Sequence, residues 1–318
     1  MTKVCICITT YNLEEYVAQA LDSVLAQKTN FDFKIIVADD CSSDGTLDIL
    51  TRYQQEHPGQ ITVLASDKNM GSLANSNRLF DGLECEYFSF LDGDDYWLGE
   101  DHLQRQVDFL DQHPEYMLCA GNTRYLRDGV NAELVVDVKQ IGSGRAFTWQ
   151  DMLGHDMPFF HTSAIMVRNT IFCKGLPHCY RQVVNTFENC ALRGEDFRRL
   201  LHLEQGPLYA MPDVESVYRI HSRGMWQGSS KVKQHIEGTI GYNFYRKYYG
   251  DKYGAYFEKR FKLQYLAMVL FVMRYGASDK ERELIKSLIS DMARQKGRSI
   301  NTGSNNIVGL LIKGWKYR

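Results

Sequence analysis

The sequence predicts an α/β protein with a Rossmann-like, mostly parallel central sheet flanked by helices and followed by a helical C-terminal extension. Three observations predict it. From Lys3 to Asp111, apolar β-rich runs alternate with amphipathic helical spacing across short connections, the pattern of right-handed parallel βαβ units. Polar and acidic residues gather just after three successive strands, at Thr10, Asp39 and Asp92, positions that share one edge of a doubly wound sheet. Beyond Ser229 the strands stop and helical spacing takes over.

The bulk properties fit that reading. A chain of 318 residues, 44% hydrophobic and 24% charged, is long enough for one large domain or two modest ones with ample core. A net charge of −2 gives no electrostatic case for nucleic acid as a partner. The apolar stretch Val4 to Ile8 is too short for a signal-peptide core. The longest apolar run, Leu266 to Met273, falls well short of the roughly 20 residues a spanning helix needs. Eight cysteines without a C-x-x-C pair are expected to stay reduced, as in the cytoplasm.

Taken in order, Lys3 to Thr9 is the first strand and ends in Thr9-Thr10-Tyr11-Asn12. Asn12 and Glu15 have the spacing of a capping box, and Leu13, Tyr16, Val17, Ala20, Leu21, Val24 and Leu25 recur at helical spacing. Phe33 to Ala38 is the second strand and runs into Asp39-Asp40-Cys41-Ser42-Ser43-Asp44-Gly45-Thr46, with a helix from Thr46 to Gln55. Ile61 to Leu64 is the third, followed by Lys68-Asn69-Met70-Gly71 and a helix to Leu83. The Phe88 strand then meets Asp92-Gly93-Asp94-Asp95, and a helix spans Asp101 to Asp111. From Tyr116 to Val138, two β runs about Arg127-Asp128-Gly129 predict a hairpin-like insertion. A short helix at Thr148–Leu153 and a strand at Thr162–Val167 follow. Gly194-Glu195-Asp196 opens another helix, and a strand from Val214 ends in Tyr218-Arg219-Ile220-His221. Three C-terminal helices are expected: one carrying Ile236, Ile240, Phe244 and Tyr248, one from Tyr256 to Arg274 whose aromatics read as core, and one from Lys280 to Gln295. The closing Ile307 to Arg318 mixes Ile, Leu and Trp with Lys313, Lys316 and Arg318. That composition suits a segment lying at a membrane surface or a tail packed on the domain.

The chemistry concentrates at Asp92, Asp94 and Asp95. Three carboxylates within four residues repel one another unless a cation lies between them, and hard oxygen donors suit Mg²⁺ or Mn²⁺ better than zinc. Alone, the run reads equally well as a solvated acidic turn. Glu195-Asp196 alone reads as a pair of acids favoured by a helix N-terminus, and His221 alone as a hydrogen-bonded structural residue. The glycine-rich phosphate loops G-x-G-x-x-G and G-x-x-x-x-G-K-[ST] are absent, so a phosphate bound here is held by metal and side chains.

Six motifs in order over about 220 residues strongly resemble family 2 glycosyltransferases of the GT-A fold. They are Thr9-Thr10-Tyr11-Asn12; Ala38-Asp39-Asp40-Cys41-Ser42-Ser43-Asp44-Gly45-Thr46; Asn69-x-Gly71 with Ala74 and Asn77; Leu91-Asp92-Gly93-Asp94-Asp95, like the metal-binding D-x-D motif; Glu195-Asp196; and Tyr218-Arg219-x-His221. The resemblance implies a GT-A domain at 1–228, with a nucleotide-sugar-binding half at 1–120, an acceptor-side half at 121–228, and a helical region at 229–318. It implies that Thr10, Tyr11, Asp39, Asn69, Asp92 and Gly93 bind the nucleotide sugar, with Tyr11 and Asp39 at the base, usually uridine, and Asp92 at the ribose. Asp94, joined by His221, would ligate Mn²⁺ or Mg²⁺. Asp196 would be the general base, positioned by Glu195, for an inverting transfer from a UDP-sugar to a glycan or lipid-linked acceptor in surface polysaccharide synthesis. Asn75-Ser76 stands where the family commonly has Ala-Arg, and Arg78 is the candidate to replace that arginine. Two other readings stay open: a non-catalytic nucleotide-sugar-binding relative on the same fold, and a nucleotidyltransferase, which more often carries a glycine-rich loop after its first strand.

Overall fold

The computed structural model describes residues 1–295, apart from 128, 155, 193, 222, 223 and 225–227. The closing segment Ile307–Arg318 thus lies outside the described residues. The chain divides into two compact units, one ending at Ser229 and one beginning at Ser230.

The first unit opens with β1 (Thr2–Thr10), α1 (Val17–Leu25), β2 (Phe33–Asp39), α2 (Thr46–Glu56), β3 (Ile61–Leu64), α3 (Ser72–Phe80) and β4 (Cys85–Asp92). The four strands pair in parallel in the order β3-β2-β1-β4. Every residue of β1 from Val4 to Cys7 is buried, because a parallel strand covered by helices has no solvent face; hence its unbroken apolar run. On one side Val4, Ile6 and Ile8 pack with Val17, Leu21 and Val24 of α1. The register sets Thr10 beside Asp39 and Thr9 beside Asp92, so the three polar strand ends lie at one edge, as the sequence pattern requires.

After β4 come β5 (Tyr96–Trp97), α4 (His102–Gln112), β6 (Leu118–Arg127), β7 (Val130–Leu134), α5 (Val138–Ile141), β8 (Arg145–Phe147), α6 (Trp149–Gly154), β9 (Ile165–Arg168), α7 (His178–Val183), α8 (Glu195–Leu203) and β10 (Leu208–Ile220). The sheet continues β4-β9-β6-β10-β5, with β9 antiparallel to both neighbours and β10 parallel to β6. The expected insertion between Tyr116 and Val138 is therefore corrected. β6 does turn back onto β7, but β6 itself is a central strand, fully buried from Leu118 to Thr123.

Two further local expectations change. Asn12 does not cap α1, which starts only at Val17 without a side-chain cap. With φ at 56°, Asn12 leaves the helical region and its Oδ1 accepts from Ser43 N at 2.8 Å. Glu14 likewise turns to the next loop and accepts from Gly45 N at 2.7 Å. The β1–α1 loop is thus laced to the β2–α2 loop, a tertiary use of Asn12, whose spacing to Glu15 looked local.

The second unit contains α9 (Lys231–Tyr275) and α10 (Asp279–Gln295). Ser230 Oγ accepts from Lys233 N at 3.0 Å and caps α9. The two helices expected here run together and break at Gly250, whose φ of 39° and ψ of −119° no helix contains. Phe257 and Phe261 are buried, as their spacing predicts.

Candidate active site

The site is assembled from four strand ends and one helix start. β1 and β2 supply Thr10 and Asp39. Asp39 is completely buried, and its carboxylate accepts from Thr10 Oγ1 at 2.9 Å, Ser42 N at 2.9 Å and Ser42 Oγ at 2.5 Å. Its neighbour Asp40, which carried no assigned role, accepts from Met70 N at 2.7 Å and Gly71 N at 2.9 Å. That pair of bonds holds the loop bearing Asn69 against the end of β2. Tyr11 stands half-exposed at the rim. Arg78, the candidate to replace the family's arginine, is engaged within the fold. Its guanidinium donates to Asn75 Oδ1 at 3.1 Å and to the carbonyls of Asp39 at 3.3 Å and Ala65 at 2.7 Å, which binds α3 to β2 and the segment after β3.

Gly93 follows β4 where the chain crosses the end of β1. A Cβ there would lie 2.8 Å from Thr10 Cγ2 and 2.9 Å from Thr9 O. Only glycine lets the acidic turn sit this close, and Gly93 N donates to Thr9 O at 3.2 Å.

The three carboxylates after β4 have separate surroundings. Asp94 meets His221, whose Nε2 donates to its Oδ2 at 2.9 Å. Asp95 is buried and acts as a latch: it accepts from Ser163 Oγ at 2.7 Å and from Arg219 N at 3.0 Å. It thereby ties the acidic turn to the entry of β9 and the end of β10. Asp92 sits between them. Loss of surrounding water, then the charges of Asp94 and Glu195, push its carboxyl up to about 8, while Arg198 opposes the rise.

β10 delivers His221 through a second clamp. The Arg219 guanidinium lies over the rings of Tyr96 at 4.7 Å and Tyr16 at 5.2 Å and donates to Gln19 Oε1. His221 itself packs on Tyr16 with ring centroids 4.9 Å apart.

α8 brings Glu195 and Asp196. Gly194 precedes them in an extended conformation. Glu195 is half-buried and faces Asp92 electrostatically. Asp196 is exposed and accepts from Arg199 at 2.6 Å. Below them, the Arg198 guanidinium is buried over the rings of Phe90 at 4.6 Å and Phe80 at 5.1 Å and donates to Thr162 Oγ1 at 3.1 Å. It places a fixed cation under a group of carboxylates. A small cavity between α8 and the sheet is lined by Phe88, Phe90, Glu195, Arg198 and His202.

The donor set fits a divalent cation. Asp92, Asp95 and His161 offer ligand atoms all within 4.8 Å of one another. Burial drives the His161 imidazole down to about 4, so it stays neutral, and its Nδ1 accepts from Ser163 N at 3.4 Å. His221 Nδ1 is buried and has no hydrogen-bond partner among the described residues. Mutually repelling carboxylates beside imidazole nitrogens form a hard, electron-rich set suited to Mn²⁺ or Mg²⁺.

Thus the structure gathers Thr10, Asp39, Asp92, Gly93, Asp94, His221 and Glu195-Asp196 at one sheet edge, with Tyr11 and Asn69 on its bordering loops. Asp40, His161 and Arg198 were not singled out from sequence. Asp40 had a visible signal in its adjacency to Asp39. His161 and Arg198 had none, since a lone histidine before a strand and an arginine on a helix are ordinary residues.

A doubly wound sheet with acidic strand ends and a separate acidic helix start defines a GT-A-like protein. The chain belongs to glycosyl transferase family 2, whose family model matches residues 5–175. Among curated relatives, the uncharacterized protein Rv1520 of Mycobacterium tuberculosis is 27% identical over 73% of this chain and 63% of its own length. The putative teichuronic acid biosynthesis glycosyltransferase TuaG of Bacillus subtilis is 30% identical over 45% of this chain and 54% of its own. The chain thus spans less than two thirds of the length of these relatives. Staphylococcus aureus TarS 1–349 in complex with UDP superposes with a TM-score of 0.58 at 16% identity, covering 99% of this chain and 87% of that one. The Pyrobaculum calidifontis mannosyltransferase PcManGT, in complex with GDP-Man and Mn²⁺, gives 0.53 at 14% identity, covering 92% and 81%. At these identities the likeness is one of fold.

Proposed function

We propose that the protein is an inverting, metal-dependent glycosyltransferase. It moves a sugar from a UDP-sugar to a hydroxyl of a glycan or lipid-linked acceptor in the cytoplasm, for surface polysaccharide synthesis. The observation that carries the reading is the meeting of two separate acidic groups at one sheet edge: Asp92 and Asp94 with His221, and Glu195-Asp196 at the start of α8. The relatives support the donor class. TarS of Staphylococcus aureus is named a poly(ribitol-phosphate) β-N-acetylglucosaminyltransferase, and a structure of its complex with UDP-GlcNAc shares this fold with a TM-score of 0.57.

In this reading Tyr11 and Asp39 take the uracil, with Asn69 on the loop that Asp40 holds, and Asp92 takes the ribose. Asp94 and His221 hold the cation, with Asp92, Asp95 and His161 around them. Bound there, Mn²⁺ or Mg²⁺ would offset the charge that builds on the departing diphosphate. Asp196 accepts the proton of the attacking hydroxyl, and an ion pair with Arg199 at 2.6 Å orients it. Glu195 positions it. The hydroxyl oxygen forms its bond to the anomeric carbon on the face opposite the breaking bond to UDP, so one displacement inverts the configuration.

Calorimetric titration of UDP with Mn²⁺, and then with EDTA, tests the donor site. Binding only with metal is expected, and Asp94→Ala should remove the metal-dependent part. Mn²⁺-dependent affinity retained in full by Asp94→Ala would take Asp94 out of the site. Asp196→Asn should keep UDP binding while transfer to acceptor falls by about 10² to 10⁴. Unchanged transfer would exclude Asp196 as the base.

A further inference from the structure

The second unit differs sharply in charge from the rest of the chain. Residues 230–318 carry 18 Lys and Arg against 7 Asp and Glu, a net of +11, while residues 1–229 carry 19 against 32, a net of −13. An overall charge of −2 conceals this polarity. The same unit presents an unusual helix face. In the latter half of α9, Phe257, Phe261, Met268, Val269 and Val272 turn inward, while Leu263, Leu266, Leu270 and Met273 are 54 to 61% exposed. The exposed four recur every three or four residues, so they form one continuous apolar stripe along the helix. The exposed charged residues that share its side of the helix are Lys259, Lys262 and Arg274, and none is acidic. Glu258, next to Lys259 in the chain, is half-buried and taken up by Arg246 at 2.7 Å and Lys262 at 3.3 Å.

We propose that this face of α9 docks on an anionic lipid surface, the leucines and Met273 entering the headgroup boundary and the lysines and Arg274 meeting lipid phosphates. A helix with leucines on one stripe and cations at its border is built for that plane, because long basic side chains carry their charge outward along the apolar surface. Two other occupants lack charge complementarity. A second copy docked symmetrically on the same face would set Lys259, Lys262 and Arg274 against their own counterparts. The chain's closing segment, Ile307–Arg318, carries only basic charge, at Lys313, Lys316 and Arg318. Among the described residues, no helix is long and apolar enough to cross a membrane, so the contact is one of lying on the surface.

The test is flotation of the full-length protein with vesicles of phosphatidylcholine alone and with a third phosphatidylglycerol, at low and high salt. Binding to the anionic vesicles, weakened by salt, is expected. Leu266→Glu with Leu270→Glu should reduce it at least tenfold, and each of Lys259→Gln and Lys262→Gln about fivefold. These side chains face solvent, so unchanged helical circular dichroism and thermal unfolding serve as the check that every variant is folded. No binding to anionic vesicles, or binding that the double glutamate variant leaves intact, overturns the proposal. So does a dimer, seen by light scattering, that the same variant dissociates while the wild type ignores vesicles.

Discussion

His202 makes the buried layer behind the site sensitive to acid. It is fully buried on α8, with its ring 5.9 Å from that of Phe88 and 6.0 Å from that of Phe172. Its Nδ1 lies 2.7 Å from the carbonyl of Arg198, so Nδ1 carries the proton and donates, leaving Nε2 as a bare lone pair with no partner among the described residues. A second proton would place a charge on Nε2 in an apolar layer, and burial accordingly lowers the pKa from 6.5 to about 4. In the unfolded chain the same imidazole takes its proton near pH 6.5. Between pH 6.5 and 4 the unfolded state therefore holds a proton that the folded state lacks, and stability rises with pH across that window. The contribution is fully present above pH 6.5 and is lost as pH falls towards 4. At 1.36 kcal/mol per pH unit, the loss is about 3 kcal/mol. Urea denaturation of the wild type and of His202→Leu at half-unit steps from pH 7.5 to 4 isolates it, because every other titrating group is common to both. The difference in unfolding free energy should be flat above pH 6.5 and shift by about 3 kcal/mol in favour of the variant by pH 4. A difference that does not move with pH refutes the assigned cause.

The other predictions concern the supports of the site. Gly93→Ala should cost about 1–3 kcal/mol, because a methyl group meets Thr10 and the Thr9 carbonyl; thermal unfolding reads the loss, and UDP affinity should fall with it. Glu215 is fully buried and accepts from Gln106 at 2.9 Å and Arg105 at 3.2 Å, binding β10 to α4. Glu215→Ala should therefore destabilise by about 3–5 kcal/mol in chemical denaturation. Asp40→Ala leaves the amides of Met70 and Gly71 without their acceptor and should cost about 1–3 kcal/mol, with weaker UDP binding because the Asn69 loop loses its anchor.

Sequence and structure divide the protein along a physical line. Periodicity and breakers are local properties, so β1 to β4, their helices and the polar residues at their ends were all legible before any coordinates. The strand–helix alternation with short connections pointed to a doubly wound parallel sheet, and that placed Thr10, Asp39 and Asp92 at one edge. The later strands were less readable because their partners are distant in sequence. β6 looked like half of a hairpin, since its local partner β7 is all that proximity reveals; its pairing with β9 and β10 joins residues 45 to 93 positions away. At Glu215 the register of β10 slips, and two consecutive side chains, Glu215 and Ser216, are both fully buried, which breaks the alternation that sequence reasoning depends on. The motif residues themselves were identified in one dimension, but their partnerships were not. Asn12 and Glu14, ahead of α1, reach across to hold the next loop, Asp95 ties three strands together, and Arg198 and His161 acquire meaning only from the carboxylates that folding brings to them. Residue type and spacing are written in the chain. Which charge faces which is decided by long-range packing, because electrostatic contact depends on distance in space.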